Sequence, residues 1–285
     1  MPKRKVTIPE LLNMKREGKK IRMVTSYDYI TALLVEETDI EMILVGDSLG
    51  MVVLGYEGTV PVTMEEMLHH IKPVVRAARN TFVVGDMPFG SYNESIESAI
   101  HNANRILKEG GADAVKLEGG LNVVKTVEAL VSAGIPVMGH IGLTPQTATQ
   151  LGGFKVQGKD IEAARRLLEE AQALEAAGAF SIVLECIPSP LARAITERVS
   201  IPTIGIGAGP YCDGQVLVIH DMLGMFKRFV PKFVKKYADL APQILEALKR
   251  YASEVAEGVF PGPEHSFGMN EEILSQLAAG EGKRC

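Results

Sequence analysis

Apolar and polar positions along the chain fall into two alternating kinds of segment. Eight short runs are almost continuously apolar and rich in β-branched residues: Ile21–Ser26, Met42–Gly46, Phe82–Gly85, Ala114–Leu117, Val137–Gly139, Ser181–Leu184, Thr203–Ile206 and Val216–Ile219. A strand with one wet face would alternate, whereas a continuous run suits a parallel strand buried on both faces. The stretches between them have helical spacing. From Asp160 to Gly178, residues Ile161, Ala164, Leu168, Ala171 and Leu174 share one stripe, and Gly178 suits the position just past a helix end. Thr7 and Thr63 are each followed three residues later by a glutamate, the capping-box signature of a helix start.

Eight strand–helix units in about 250 residues is the count of a closed (β/α)8 TIM barrel, an α/β fold. A helix near residues 8–17 precedes the first strand and is expected to cover the bottom of that barrel. A doubly wound open sheet is the competing architecture, but no strand is followed by G-x-G-x-x-G.

Composition narrows the class further. The chain has 285 residues, 46% hydrophobic and 23% charged, with 28 Gly and 15 Pro spread along it, which excludes disordered, collagenous and coiled-coil chains. A formal charge of −5, with only short basic pieces such as Lys235–Lys236, argues against a nucleic-acid partner. Cys186, Cys212 and Cys285 are scattered and form no CxxC pair, so neither a disulfide framework nor a zinc site is expected. The N-terminal segment lacks the apolar core of a secretory signal, and no apolar run approaches the roughly 20 residues of a membrane span. The expectation is a cytoplasmic protein with no membrane partner.

The chemistry lies in what ends each strand. In order these polar residues are Asp28, Asp47 with Ser48, Asp86, Lys116 with Glu118, His140, Glu185, and His220 with Asp221. A barrel brings the carboxyl ends of all its strands to one mouth, so these distant residues become neighbours. Carboxylates gathered there repel one another, and a hard divalent cation such as Mg²⁺, bound by oxygen ligands, relieves the repulsion. Asp47 and Asp86 each end an identical Val-Gly-Asp and are favoured as functional, whereas Asp28 reads better as a helix N-cap. Lys116 and Glu118, two apart, face the same side, where a ligand is favoured over a structural salt bridge.

Two readings stand for several positions. Glu185 lies in an apolar frame that raises a carboxyl towards useful basicity, so it is a general base or a structural hydrogen-bonding group. His140 is a substrate hydrogen-bonder or a satisfied core histidine. His69 and His70 read as surface or packing residues, and Cys186 reads as a buried inert thiol. The Gly205-Ile-Gly207-Ala-Gly209 segment either cradles a phosphate or permits a close backbone approach, and the loop from Gln150 to Asp160 reads as a lid.

Taken together, several segments resemble the ketopantoate hydroxymethyltransferase family. They are Thr25-SYDY, Leu44-VGDSLGMVVLGYEGTVPVTMEEM, Val84-GDMPFGSY, Val115-KLEGG, Val137-MGHIGLTPQ, Leu151-GGFKVQGK, Leu184-ECIP, Ile204-GIGAG and Gly258-VFPGPEHSF, spread over residues 8–267. The resemblance implies a single catalytic barrel of the phosphoenolpyruvate/pyruvate-like superfamily over residues 1–267, with a C-terminal tail over 268–285. It implies one Mg²⁺ per subunit, 3-methyl-2-oxobutanoate as substrate and 5,10-methylenetetrahydrofolate as one-carbon donor, in pantothenate biosynthesis. By position, Asp47, Asp86 and Glu118 resemble the metal site. Asp47, Ser48, Asp86, Lys116 and His140 line up with keto-acid binding, and Glu185 with the proton acceptor. The family is also typically a homodecamer. Two other readings compete: a Mg²⁺-dependent carbon–carbon lyase or mutase acting on a 2-keto acid, and a keto-acid-binding protein without catalysis.

Overall fold

The computed structural model describes residues 4–150, 152–228 and 230–280, without the side chains of 278–280; Leu151, Cys285 and the last residues of the tail, 281–285, lie outside the described residues. The described chain has eight strands, β1 (Ile21–Thr25), β2 (Met42–Val45), β3 (Phe82–Asp86), β4 (Ala114–Lys116), β5 (Val137–Gly142), β6 (Ser181–Glu185), β7 (Thr203–Ile206) and β8 (Gly214–Leu217). All pair in parallel in sequence order, and β8 returns to β1 with Met23 opposite Val216, closing the barrel.

Helices alternate with the strands: α1 (Ile8–Arg16), α2 (Tyr29–Glu36), α3 (Leu49–Val52), α4 (Met64–Ala77), α5 (Ile96–Arg105), α6 (Val124–Ser132), α7 (Ile161–Ala176), α8 (Ser189–Arg198) and α9 (Ile219–Met222). Two more, α10 (Leu240–Ala256) and α11 (Glu271–Gly280), follow. By its internal contacts the chain divides into Met1–Tyr237, which holds the barrel, and Ala238–Cys285. In the second unit α10 has no buried residue and carries Ile244, Leu248, Tyr251 and Val255 on one stripe.

The helix starts follow the local chemistry. Glu66 N donates to Thr63 Oγ1 at 3.2 Å while Thr63 N donates to Glu66 Oε2 at 2.8 Å, closing the capping box of α4. Asp28 is the N-cap of α2, accepting from Thr31 N at 2.9 Å. Gly178, with φ +92°, follows the C-cap of α7, a conformation that costs glycine nothing.

Two readings need correction. The buried face of α7 is Leu167, Glu170, Ala171 and Leu174, while Ala164 and Leu168 lie at its margin and Ile161 is 65% exposed. Leu174 and Ala171 fix the inward direction, and one helical turn before Ala171 is Leu167 rather than Leu168. The last strand also ends earlier than its apolar run suggests. Ile219 N donates to Thr25 Oγ1 at 3.0 Å, which turns the chain into α9.

Inside the barrel Met23, Met42, Leu44, Val84, Met138, Val183 and Val216 pack together. The N-terminal end of this interior is closed by Leu11 of α1, which is 1% exposed beside Ile21 and Phe82. Burying one such leucine is worth about 1.5–3 kcal/mol. The bottom is therefore plugged, and the opposite end is left to the polar residues.

Candidate active site

Every residue singled out at the strand ends for keto-acid, metal or base duty lines one cavity of about 360 Å³: Asp47, Ser48, Asp86, Lys116, Glu118, His140 and Glu185. They reach it from β2 to β6, each from the carboxyl end of its strand. Glycines let these backbones come close. A Cβ on Gly142, which has φ +95°, would meet Glu185 O at 2.2 Å, so β5 can lie against the strand that bears Glu185 only without a side chain there.

Lys116 is the hub of the charges. Its Nζ lies 2.9 Å from Asp86 Oδ1 and 3.1 Å from His140 Nδ1. Burial works against its charge, but Asp86, Glu118 and Asp47 outweigh that and hold the ammonium protonated above the ordinary lysine value. Since an ammonium can only donate, His140 Nδ1 must accept, and the ring proton falls on Nε2. Burial, reinforced by Lys116, holds that imidazole neutral by driving its pKa well down. His140 Nε2 in turn lies 3.2 Å from Glu185 Oε2, within reach but off the line of a good hydrogen bond.

The carboxylates divide by surroundings. Burial pushes Glu185 up to about 7, with Lys116 pulling the other way. Burial also raises Asp86 and Glu118, against the pull of Lys116 and with the neighbouring carboxylates adding to the rise. Asp86 Oδ2 accepts from Asp47 N at 3.1 Å, while its buried Oδ1 is ion-paired with Lys116 Nζ at 2.9 Å. Four carboxyl groups thus face one ammonium, three of them raised so that they hold a proton more readily.

Sequence reasoning missed the residue that ties them together. Gln146, 3% exposed in the loop after β5, donates through Nε2 to Asp47 Oδ2 at 2.8 Å and to Met87 O at 3.0 Å. Its backbone N donates to Glu118 Oε2 at 3.0 Å, and its Oε1 accepts from Tyr92 OH at 2.6 Å. Tyr27 was missed too; its phenol shares a 2.8 Å hydrogen bond with Ser48 Oγ. Neither carries a charge or a spacing that would mark it; their function shows only when the loops fold over.

The remaining positions resolve into packing. His70 Nδ1 meets Tyr27 O at 2.7 Å, and Asp28 spends its carboxylate on the α2 cap. Burial, then Glu185, raises the Cys186 thiol to about 12, so it is not a nucleophile. A Cβ at Gly207 would meet the Phe233 ring at 2.6 Å and one at Gly209 would meet Ser189 Oγ at 2.2 Å, so the glycine run serves close approach. From the loop after β5, Phe154, Lys155 and Val156 line the cavity.

Comparison with known proteins decides the family. Residues 5–263 match the family described as ketopantoate hydroxymethyltransferase. The chain belongs to the ketopantoate hydroxymethyltransferase family. It is 69% identical over 270 residues to the 3-methyl-2-oxobutanoate hydroxymethyltransferase of Heliobacterium modesticaldum, covering 95% of this chain and 98% of that protein. Its counterpart from Syntrophomonas wolfei is 60% identical, covering 96% and 99%. Among solved structures, phosphonopyruvate hydrolase superposes with a TM-score of 0.60 at 11% identity, covering 96% of this chain and 95% of that one. The phosphoenolpyruvate phosphomutase of Streptomyces platensis gives 0.60 at 15%, covering 97% and 96%. At such identities these two show that this family member shares their barrel, and no more.

Proposed function

We propose that the chain transfers a hydroxymethyl group from 5,10-methylenetetrahydrofolate to 3-methyl-2-oxobutanoate, forming 2-dehydropantoate. The observation that carries this is a single cavity holding a protonated Lys116, a carboxylate pair and a base of raised pKa, in a member of this family. Lys116 supplies a fixed positive charge for the keto-acid anion, and Ser48, held by Tyr27, offers a hydroxyl beside it. His140 carries its proton on the side of Glu185 and so steadies that carboxylate.

Mg²⁺ fits the residues present. Asp47 and Asp86 are hard oxygen donors at the ends of neighbouring strands and line the same cavity. Among the described residues no three His, Cys, Asp or Glu side chains form a ready cage. Asp47 and Asp86 would hold it, with Glu118 beside them. Bound there, the ion would supply Lewis-acid stabilisation of negative charge on the substrate's keto oxygen.

Glu185 takes the proton from C3, and the C–H electron pair passes towards the keto oxygen. Water adds to the methylene carbon of the donor, and its two C–N bonds break as tetrahydrofolate leaves with the two water hydrogens on N5 and N10. C3 attacks the formaldehyde so released, and the resulting alkoxide takes back the proton held by Glu185. The apolar surroundings of Glu185 set its basicity near neutrality, where a general base is most effective.

Among the described residues no helix is long and apolar enough to cross a membrane. A cytoplasmic setting and a homodecamer complete the proposal. The exposed stripe Ile244, Leu248, Tyr251 and Val255 on α10 supports burial against another copy. The deciding experiment is product formation from 3-methyl-2-oxobutanoate with Mg²⁺ and the folate each present or omitted. Product only when both are present supports the proposal, while turnover of a keto acid without folate favours a lyase or mutase on the same barrel.

A further inference from the structure

Going round the mouth, the keto-acid and metal groups occupy β2 to β4, and the base with its histidine occupies β5 and β6. Apart from Tyr27 behind Ser48, the arc formed by β7, β8 and β1 carries no group with an assigned task, yet it holds a carboxyl group. Asp221, in α9 just after β8, lines the same cavity and is 8% exposed. Its Oδ1 is buried without any hydrogen-bond partner, and Thr59 Oγ1, also on the cavity wall, shares that condition. An unpaired buried carboxylate is costly to fold around, so its presence facing a cavity calls for a ligand with donors.

Two aromatic residues, Phe226 and Phe233, line the cavity that holds Asp221 from the segment after α9. Both are anchored close by: Phe226 N donates to His220 O at 3.3 Å, and the Phe233 ring packs against Gly207, where a Cβ would come within 2.6 Å. The start of α9 is itself tied to β1 through Ile219 N and Thr25 Oγ1. A fixed carboxylate beside aromatic rings matches a flat heterocycle with paired N–H donors on one edge.

We propose that Asp221 is the specificity-determining group for the pterin end of the one-carbon donor, its carboxylate accepting the 2-amino and N3 hydrogens while Phe226 and Phe233 flank the ring. This rests on the folate donor assigned above. It places the donor on the arc that the keto acid leaves open. Thr59, as a hydroxyl without a partner, adds a second polar point on the wall.

The test separates the donor from the keto acid. Deuterium exchange at C3 of 3-methyl-2-oxobutanoate needs Mg²⁺ but no folate, so it reads folding and the keto-acid site alone. Asp221→Asn should exchange within about twofold of wild type, while its KM for 5,10-methylenetetrahydrofolate rises about 10- to 100-fold. Wild type should prefer tetrahydrofolate over its 2-desamino analogue in equilibrium binding, and Asp221→Asn should lose that preference. Asp221→Leu, which removes the hydrogen-bonding oxygens as well as the charge, should behave the same way. An unchanged donor KM in a donor-dependent enzyme overturns this assignment alone, as does loss of exchange in both variants. A wild type that turns over without folate overturns the donor reading and this assignment with it.

Discussion

Glu185 Oε2 and His140 Nε2 lie 3.2 Å apart on adjacent strands, in a register that pairs His140 with Val183 and Gly142 with Glu185. Because Lys116 occupies the other ring nitrogen, the histidine can offer Glu185 a proton but has no lone pair to take one. His140 is thereby removed as a rival base.

Replacing Glu185 by Gln should leave Mg²⁺ and keto-acid affinity in place and cut turnover by about 10²–10⁴-fold. The proton NMR signal at C3 of 3-methyl-2-oxobutanoate in deuterated water is the direct readout. It should vanish with wild type and persist with the variant. Loss at the wild-type rate in Glu185→Gln would give the proton to another group.

Burial lifts the Glu185 carboxyl from 4.5 to about 7, so its base form grows as pH rises to that point. Exchange at C3 should climb about tenfold per pH unit below 7 and level off above it. Stability runs the opposite way. The native state holds this proton more tightly than the unfolded chain, so stability is lost as pH rises from about 4.5 through 7. Glu185→Gln should therefore match wild type in denaturant melts below pH 4 and exceed it above pH 7, by on the order of 1–3 kcal/mol. Parallel melts across that range would show that the carboxyl is not perturbed.

Asp86→Ala removes an oxygen donor and leaves Lys116 without the carboxylate that lies 2.9 Å from its ammonium. The Mg²⁺ concentration for half-maximal exchange should rise by about 100-fold or more, with keto-acid binding weakened alongside. A folded variant with an unchanged Mg²⁺ requirement would take Asp86 out of the metal site.

Gln146 reaches the site only from behind, yet it holds Asp47, Glu118 and Tyr92 in one network. Gln146→Leu should cost about 1–3 kcal/mol in unfolding free energy, since it strips a buried carboxylate of its donor. The Mg²⁺ requirement should rise about tenfold as Asp47 loses its fixed orientation. Titration of exchange against Mg²⁺ would expose a purely structural role by leaving that requirement unchanged.

Truncation after Gly268 should leave chemistry intact, because α11 lies wholly beyond that point and its described side chains are exposed. Steady-state turnover of a truncated protein with native sedimentation is the measure. Loss of most activity in such a protein would assign the tail a part in the reaction.

Much of this was legible because polar residues interrupt apolar runs at one end only. Asp47, Asp86 and Glu185 each stand where a buried strand stops, and a barrel turns that into convergence. Gln146 and Tyr27 escaped notice because a neutral amide and a phenol carry no charge to betray them. Their partners come from strands up to 99 positions away in sequence, and only the folded loops bring them into contact. The face of α7 was misjudged for a different reason: Leu168 also lies about one turn from Ala171, but the direction set by Ala171 and Leu174 together falls on Leu167.

Cys186 is the one non-glycine residue with a positive φ, +48°, among the described residues, and it directly follows Glu185. Its N–H is held by Ile206 O at 2.9 Å, and its carbonyl accepts from Gln157 N at the same distance. The peptide after the base is thus clamped between β7 and the loop that lines the cavity at residues 154–156. Such a clamp works as a lever: any swing of that loop is transmitted to the backbone of the base. On the proposed assignment of Glu185 as base, seating that loop and aiming the carboxylate depend on the same two hydrogen bonds.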